Sequence, residues 1–151
     1  MDQSLVIEVV LHLELVAKAQ TFQNTGVVIQ HQDYVFLKID DAFIHDLYED
    51  LKSFKGVEKP DYFTDPKTVG AHITILYPEE NTMLKAEDLG QSHSFQVTSL
   101  CKANWGGKEY FVLAVAAPTL SALRETYGLS PEPQFLQQKI NFHITIGLRT
   151  L

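Results

Sequence analysis

Two histidines and two threonines are spaced so that they could do chemistry together. His72 and Thr74 lie in "GAHITILYP", and His143 and Thr145 lie in "NFHITIGLR". The tetrad His-Ile-Thr-Ile is thus written twice, 71 residues apart (143 − 72). On a strand, alternate side chains share a face, so each His-Thr pair is offered to one side and each Ile pair to the other. An imidazole, with an ordinary pKa of about 6.5, can give or take a proton near neutrality. Two of them on opposite sides of a phosphorus atom could act as base and acid for an in-line displacement. Each threonine hydroxyl could donate to a non-bridging oxygen, where charge must be stabilised. That is phosphodiester chemistry that needs no metal. A lone His-x-Thr is usually a half-buried histidine bonded to a neighbouring strand. Two copies weigh differently, because packing would retain the isoleucines but not both polar residues.

The elements that must hold these residues are written in a common order. "YVFLKI" at 34–39 alternates as a strand, with Val35, Leu37 and Ile39 on one face and Tyr34, Phe36 and Lys38 on the other. "DDAFIHDLYEDLK" follows as a helix, N-capped by Asp40 or Asp41, with Ile44, Leu47 and Leu51 at helical spacing. A Pro-containing loop over 59–70 then leads into the first tetrad. In the second half, strands "SFQVTSLCKA" and "KEYFVLAVAA" flank a hairpin tip, "NWGG". Pro118 opens a helix, Leu120, Leu123 and Tyr127 form its apolar stripe, and Gly128 stops it. A Pro-rich loop precedes the second tetrad. The pattern predicts a strand–helix–strand unit written twice, over about 34–78 and 108–150. The fold class expected is α+β: two lobes with approximate two-fold symmetry and antiparallel sheets around a central cleft. Residues 1–33 form an extension within the same single domain. Residues 5–16 suit a strand better than a helix, "VVIQ" forms another strand, and a short helix is expected at 84–89.

Composition narrows the partners. The 151 residues are 45 % apolar and 21 % charged, as in an ordinary globular chain. A net charge of −7 argues against a surface that coats long duplex nucleic acid, which needs clustered Lys and Arg. The lone Cys101 cannot form an intrachain disulfide, and no Cys/His spacing suits zinc. No metal and no cofactor is therefore expected. The apolar opening stretch is interrupted by Glu8, His12 and Glu14 and lacks a basic start. It reads as neither a secretory leader nor a membrane span. A cytoplasmic monomer without a membrane partner is the expectation.

The paired His-x-Thr strands within duplicated strand–helix–strand units resemble the 2H phosphoesterase superfamily, over about residues 34–150. That resemblance implies that His72 and His143 are the acid/base pair and that Thr74 and Thr145 hold phosphate. It also implies a substrate such as an RNA 2′,3′-cyclic phosphate, a 2′,5′-linked oligoadenylate or a cyclic oligonucleotide signal. The acidic balance favours a nucleotide or a short or cyclic oligonucleotide. From another class, the same groove would suit a non-catalytic nucleotide- or RNA-binding module, although two intact His-Thr pairs count against it.

Four further residues are candidate substrate contacts. Lys38 shares its face with Tyr34 and Phe36, and Arg149 continues the His143–Thr145 face. Trp105, at the hairpin tip, could stack on a base. Tyr77 ends the first motif strand with its parity pointing away, so its contribution requires a twist there. Tyr110 reads as core. Because the two imidazoles make a divalent ion unnecessary, turnover should survive excess EDTA. Loss of turnover on chelation, with recovery on adding Mn²⁺ or Zn²⁺, would overturn the two-histidine mechanism.

Overall fold

The alternating segments become, in a computed structural model that describes residues 5–60, 69–135 and 138–151, one eight-stranded sheet. Its strands are β1 (Val6–Val10), β2 (Thr25–His31), β3 (Tyr34–Lys38), β4 (His72–Leu76), β5 (Ser92–Ser94), β6 (Gln96–Trp105), β7 (Lys108–Ala116) and β10 (His143–Thr150). The spatial order is β1-β6-β7-β10-β4-β3-β2-β5, and every adjacent pair is antiparallel. Two short strands, β8 (Gln134–Phe135) and β9 (Gln138–Lys139), pair separately. The fold is α+β. The motif strands β4 and β10 are direct neighbours, side by side as the repeat implied, within one continuous sheet.

Hairpin, helix and motif strand follow one another on each side of that central pair. β2 and β3 precede α2 (Ala42–His45), α3 (Tyr48–Leu51) and β4, while β6 and β7 precede α4 (Pro118–Thr126) and β10. The expected helix over 40–52 is thus two single turns, interrupted at Asp46–Leu47. Its stripe is nevertheless correct, since Ile44, Leu47 and Leu51 are all fully buried. Asp41 occupies the N-cap position without a side-chain cap bond, and Asp40 Oδ1, one residue earlier, accepts from the Ala42 N–H at 2.8 Å. The helices pack crosswise: α2 and α3 lie against β10, and α4 lies against β4. Each motif strand is therefore covered by the helix from the opposite half.

Residues 5–33 contribute a strand to each half of the sheet. β2 extends it beyond β3, and β1 adds to the far side of β6. The strand expected over 5–16 holds for Val6–Val10 and gives way to helix α1 (Leu13–Ala19), where His12 Nδ1 accepts from the Leu15 N–H at 3.2 Å. Residues 86–90 form turns, not the helix expected at 84–89. Most of the Pro-containing loop, residues 61–68, lies outside the described residues. Among the described residues no helix is long and apolar enough to cross a membrane.

One irregularity changes which side chains share a face. Thr145 pairs with Val112, but Gly147 pairs with Phe111, so Ile146 is an extra residue in β10. A bulge of this kind shifts the alternation by one position. Gly147 lies on the core side, where an added Cβ would come within 2.9 Å of Leu51 Cδ1 and 3.0 Å of Val57 Cγ1. Gly147→Val should therefore overpack the contact between α3 and β10 and destabilise the fold by about 1–3 kcal/mol. Thermal melting checks this, with wild-type stability as the contrary result.

Candidate active site

The isoleucines of the two tetrads set the site. Ile144 stands opposite Ile73 in the β10–β4 pair, and both are fully buried. Extending that antiparallel register one residue each way sets His72 opposite Thr145 and Thr74 opposite His143. All four then face away from the core, with the histidines on a diagonal, which in a regular sheet separates partners by about 7–8 Å.

Both imidazoles are held in the same manner. His72 Nδ1 lies 2.7 Å from the Gly70 carbonyl and His143 Nδ1 lies 2.9 Å from the Asn141 carbonyl, in each case two residues upstream. A carbonyl oxygen only accepts, so Nδ1 carries the proton in both rings. In the neutral form, Nε2 is then the basic atom of each histidine. Burial lowers the pKa of both, against the opposing effect of the carbonyl bonds. His72 is lowered further by the charge of His143 and then of Lys38, so the two imidazoles lie within electrostatic reach of each other.

The surroundings of His72 were only partly foreseen. Tyr34, whose alternation placed it on the groove face, brings its hydroxyl to 3.1 Å from His72 Nε2 and 2.5 Å from Thr74 Oγ1. With His72 neutral, Tyr34 donates to Nε2 and Thr74 donates to the Tyr34 oxygen. Burial raises the pKa of Tyr34, opposed by its bond to Thr74. Burial also raises that of Tyr77 well above its ordinary value, with the neighbouring Tyr34 adding to it and a bond to Thr74 opposing it. Both phenols therefore remain protonated near neutrality.

Of the four outlying candidates, two line the groove. Tyr77 does so despite its parity, because β4 is displaced by an irregularity against Val35 and Phe36 and then turns at Pro78. Its ring lies 5.3 Å from Phe135, which lies 5.5 Å from Trp105. Trp105 is a wall of the cavity that opens on His143 and Thr145. Tyr110, expected in the core, lines the same cavity.

Lys38 and Arg149 are engaged elsewhere. The Lys38 ammonium donates to Asp41 Oδ1 at 2.7 Å and to the Ala71 carbonyl at 3.2 Å, while Asp41 Oδ1 also accepts from the Ala71 N–H. The pair clamps Ala71 from both sides and so sets the Gly70 carbonyl that orients His72. Only glycine suits position 70, where φ is +75° and a Cβ would lie 2.5 Å from Asp41 Oδ1. Arg149 does not continue the His143–Thr145 face, because the bulge at Ile146 turns it to the other side. There it pairs with Glu109 at 2.6 Å, donates to the Lys55 carbonyl and lies over the Phe111 ring.

Arg124 and Glu80 escaped the sequence reading. Arg124 lies one turn after Leu120 on the apolar stripe of α4, and a charged residue on that stripe is the signal that could have revealed it. It is fully buried and forms a two-pronged ion pair with Glu80, at 2.6 and 2.9 Å. Among the described residues, no cluster of three or more His, Cys, Asp or Glu is placed to hold a metal ion.

Comparison with protein families now has a geometry to rest on. Residues 35–150 match the family described as "Swiss Army Knife, 2H phosphoesterase domain". The chain belongs to this 2H phosphoesterase family. Comparison with curated proteins and with solved structures found no match.

The threonines differ in a way the sequence did not suggest. Thr145 is half-buried. Thr74 is 6 % exposed and bonded to Tyr34. Thr74→Val should therefore cost about 1 kcal/mol, a fall in Tm of roughly 2–4 °C for a chain of this size. A melting temperature unchanged from the wild type would contradict this.

Proposed function

We propose that the protein is a metal-independent phosphodiesterase acting on a nucleotide or a short or cyclic oligonucleotide phosphodiester. In this reading His72 and His143 are acid and base, and Thr74 and Thr145 hold the non-bridging oxygens. The observation that carries it is the matched tethering of both Nδ1 atoms to carbonyls two residues upstream. That leaves each Nε2 as the proton-exchanging atom at a common groove. The like succession of hairpin, helix and motif strand in the two halves supports descent from one duplicated unit.

The reaction begins when one Nε2 takes a proton from water or from a neighbouring 2′-hydroxyl. The resulting oxygen nucleophile forms the new P–O bond. The opposite bond breaks in line as the other imidazolium gives its Nε2 proton to the departing oxygen. A 2′-hydroxyl nucleophile produces a cyclic phosphate by transesterification, whereas water acting on a cyclic phosphate opens it. Tyr34 links protonation to phosphate binding. In the free protein with His72 charged, its Nε2–H donates to the Tyr34 oxygen, Tyr34 donates to Thr74, and the Thr74 proton is released for a phosphate oxygen. When His72 acts as the acid, the departing oxygen replaces Tyr34 as the acceptor of that Nε2 proton.

His72→Ala and His143→Ala should each lower kcat by roughly 10²–10⁴ with the fold retained. The double variant should be little worse, since the two groups act as a unit. The pH profile gives a separate check. Both folded pKa values lie below the ordinary imidazole value, so the kcat/KM bell should be centred below pH 6.5. A bound phosphodiester anion favours imidazolium, and the kcat optimum should accordingly lie at higher pH. The same lowered pKa values make stability complete above the unfolded value and lost as pH falls through the folded ones. Multiplicative losses in the double variant, or nucleotide binding without turnover of any phosphodiester, would refute the catalytic reading.

A further inference from the structure

The two sides of the groove differ in the size of the residues beside each motif. On β3, Lys38 stands opposite His72 and Phe36 opposite Thr74. On β7, the corresponding positions opposite His143 and Thr145 are Ala114 and Val112. Large side chains fill the first side: the Phe36 ring is 4 % exposed and lies 5.6 Å from the His72 ring. Small ones leave the second side hollow. A cavity of ≈ 270 Å³ opens there on His143 and Thr145.

The lining of that cavity specifies what could enter it. Its described walls contain no Lys, Arg, Asp or Glu. Apart from the His143 imidazole no readily charged side chain lines it, so a charged ring would lose its hydration against largely apolar walls. Trp105, Tyr110, Phe135 and Tyr77 supply flat aromatic surface on which a base can stack. Trp105 Nε1 is buried and has no hydrogen-bond partner among the described residues.

We propose that the cavity beside His143 is a one-sided specificity pocket. It takes the uncharged, flat heterocycle attached to one side of the phosphodiester, while the His72 side accepts only a small or flexible substituent. This rests on the phosphodiesterase reading for its substrate, but the pocket can be tested without turnover.

Trp105 is the chain's only tryptophan, so its fluorescence reports on the pocket directly. Uridine and adenosine, which carry no phosphate, should quench it saturably. Orotidine, which differs from uridine by a carboxylate on the ring, should bind at least tenfold more weakly. Val112→Phe, which places on β7 the residue that β3 carries at the matching position, should weaken nucleoside binding at least tenfold by calorimetry, with folding checked by thermal melting. Should that variant fail to fold, the wild-type comparison of uridine with orotidine still decides. Absence of nucleoside quenching, or equal affinity for uridine and orotidine, overturns the pocket. Turnover of methyl 4-nitrophenyl phosphate is measured in parallel. Turnover without nucleoside binding removes the pocket and leaves the catalytic reading, whereas nucleoside binding without turnover does the reverse.

Discussion

A single guanidinium holds the two halves of the groove in register. Arg124 extends from α4 and uses all five of its N–H donors: two on the Glu80 carboxylate, one on the Ile75 carbonyl, and two on Ser130. Ile75 belongs to β4, Glu80 to the turn that follows it, and Ser130 to the loop after α4. Burying both charges is costly unless geometry and hydrogen bonding are complete, and here they are. Glu80 in turn accepts from the N–H groups of Tyr77 and Gln134. One buried ion pair therefore fixes the backbone on either side of the groove rim and sets Tyr77 against Phe135. The directed bonds of this pair tie those backbone positions to one arrangement.

From that joint an arc of rings extends to both motifs. Tyr77 lies 6.4 Å from Tyr34, whose hydroxyl reaches His72 and Thr74. On the other side Phe135 leads to Trp105 and the cavity beside His143. The two catalytic candidates thus stand in unlike settings although their tetrads are identical. His72 is enclosed by Phe36 and Tyr34 and linked to a chain of hydroxyls, while His143 borders an open, uncharged hollow. Burial lowers the pKa of both, but the neighbouring strands, not the motifs, decide what can approach each one.

Much of this was legible in the sequence, and the limits have physical reasons. The period-two alternation of His-Ile-Thr-Ile fixed which residues pack and which face outward, because one face of each strand must be buried. The helix stripes at Ile44, Leu47 and Leu51 and at Leu120 were legible for the same reason. Parity fails where a strand gains a residue, as at Ile146, and that one insertion takes Arg149 from the groove to Glu109. The contacts of Lys38 were hidden because Asp41 competes for the ammonium only once Gly70 turns the chain back. The Arg124–Glu80 pair joins residues 44 positions apart, and no local pattern signals it except a charge on an apolar stripe. The hollow beside His143 is the hardest feature to read, since it arises from the smallness of Val112 and Ala114.

The position of β10 has a consequence for how the molecule reaches its working form. This strand follows all the other described strands in sequence, yet it fills the gap between β7 and β4. Before it docks, β4 and β7 each present an open edge, and two partial sheets have no common interior. Pairing Ile144 with Ile73 closes 71 residues of chain (144 − 73), and that closure must precede the gain from pairing. The insertion of β10 closes the sheet, brings its isoleucines against α2 and α3, and delivers His143 to His72 in one event. Partly assembled chains therefore hold one imidazole without its counterpart. The juxtaposition of the two imidazoles arrives only with the completed sheet.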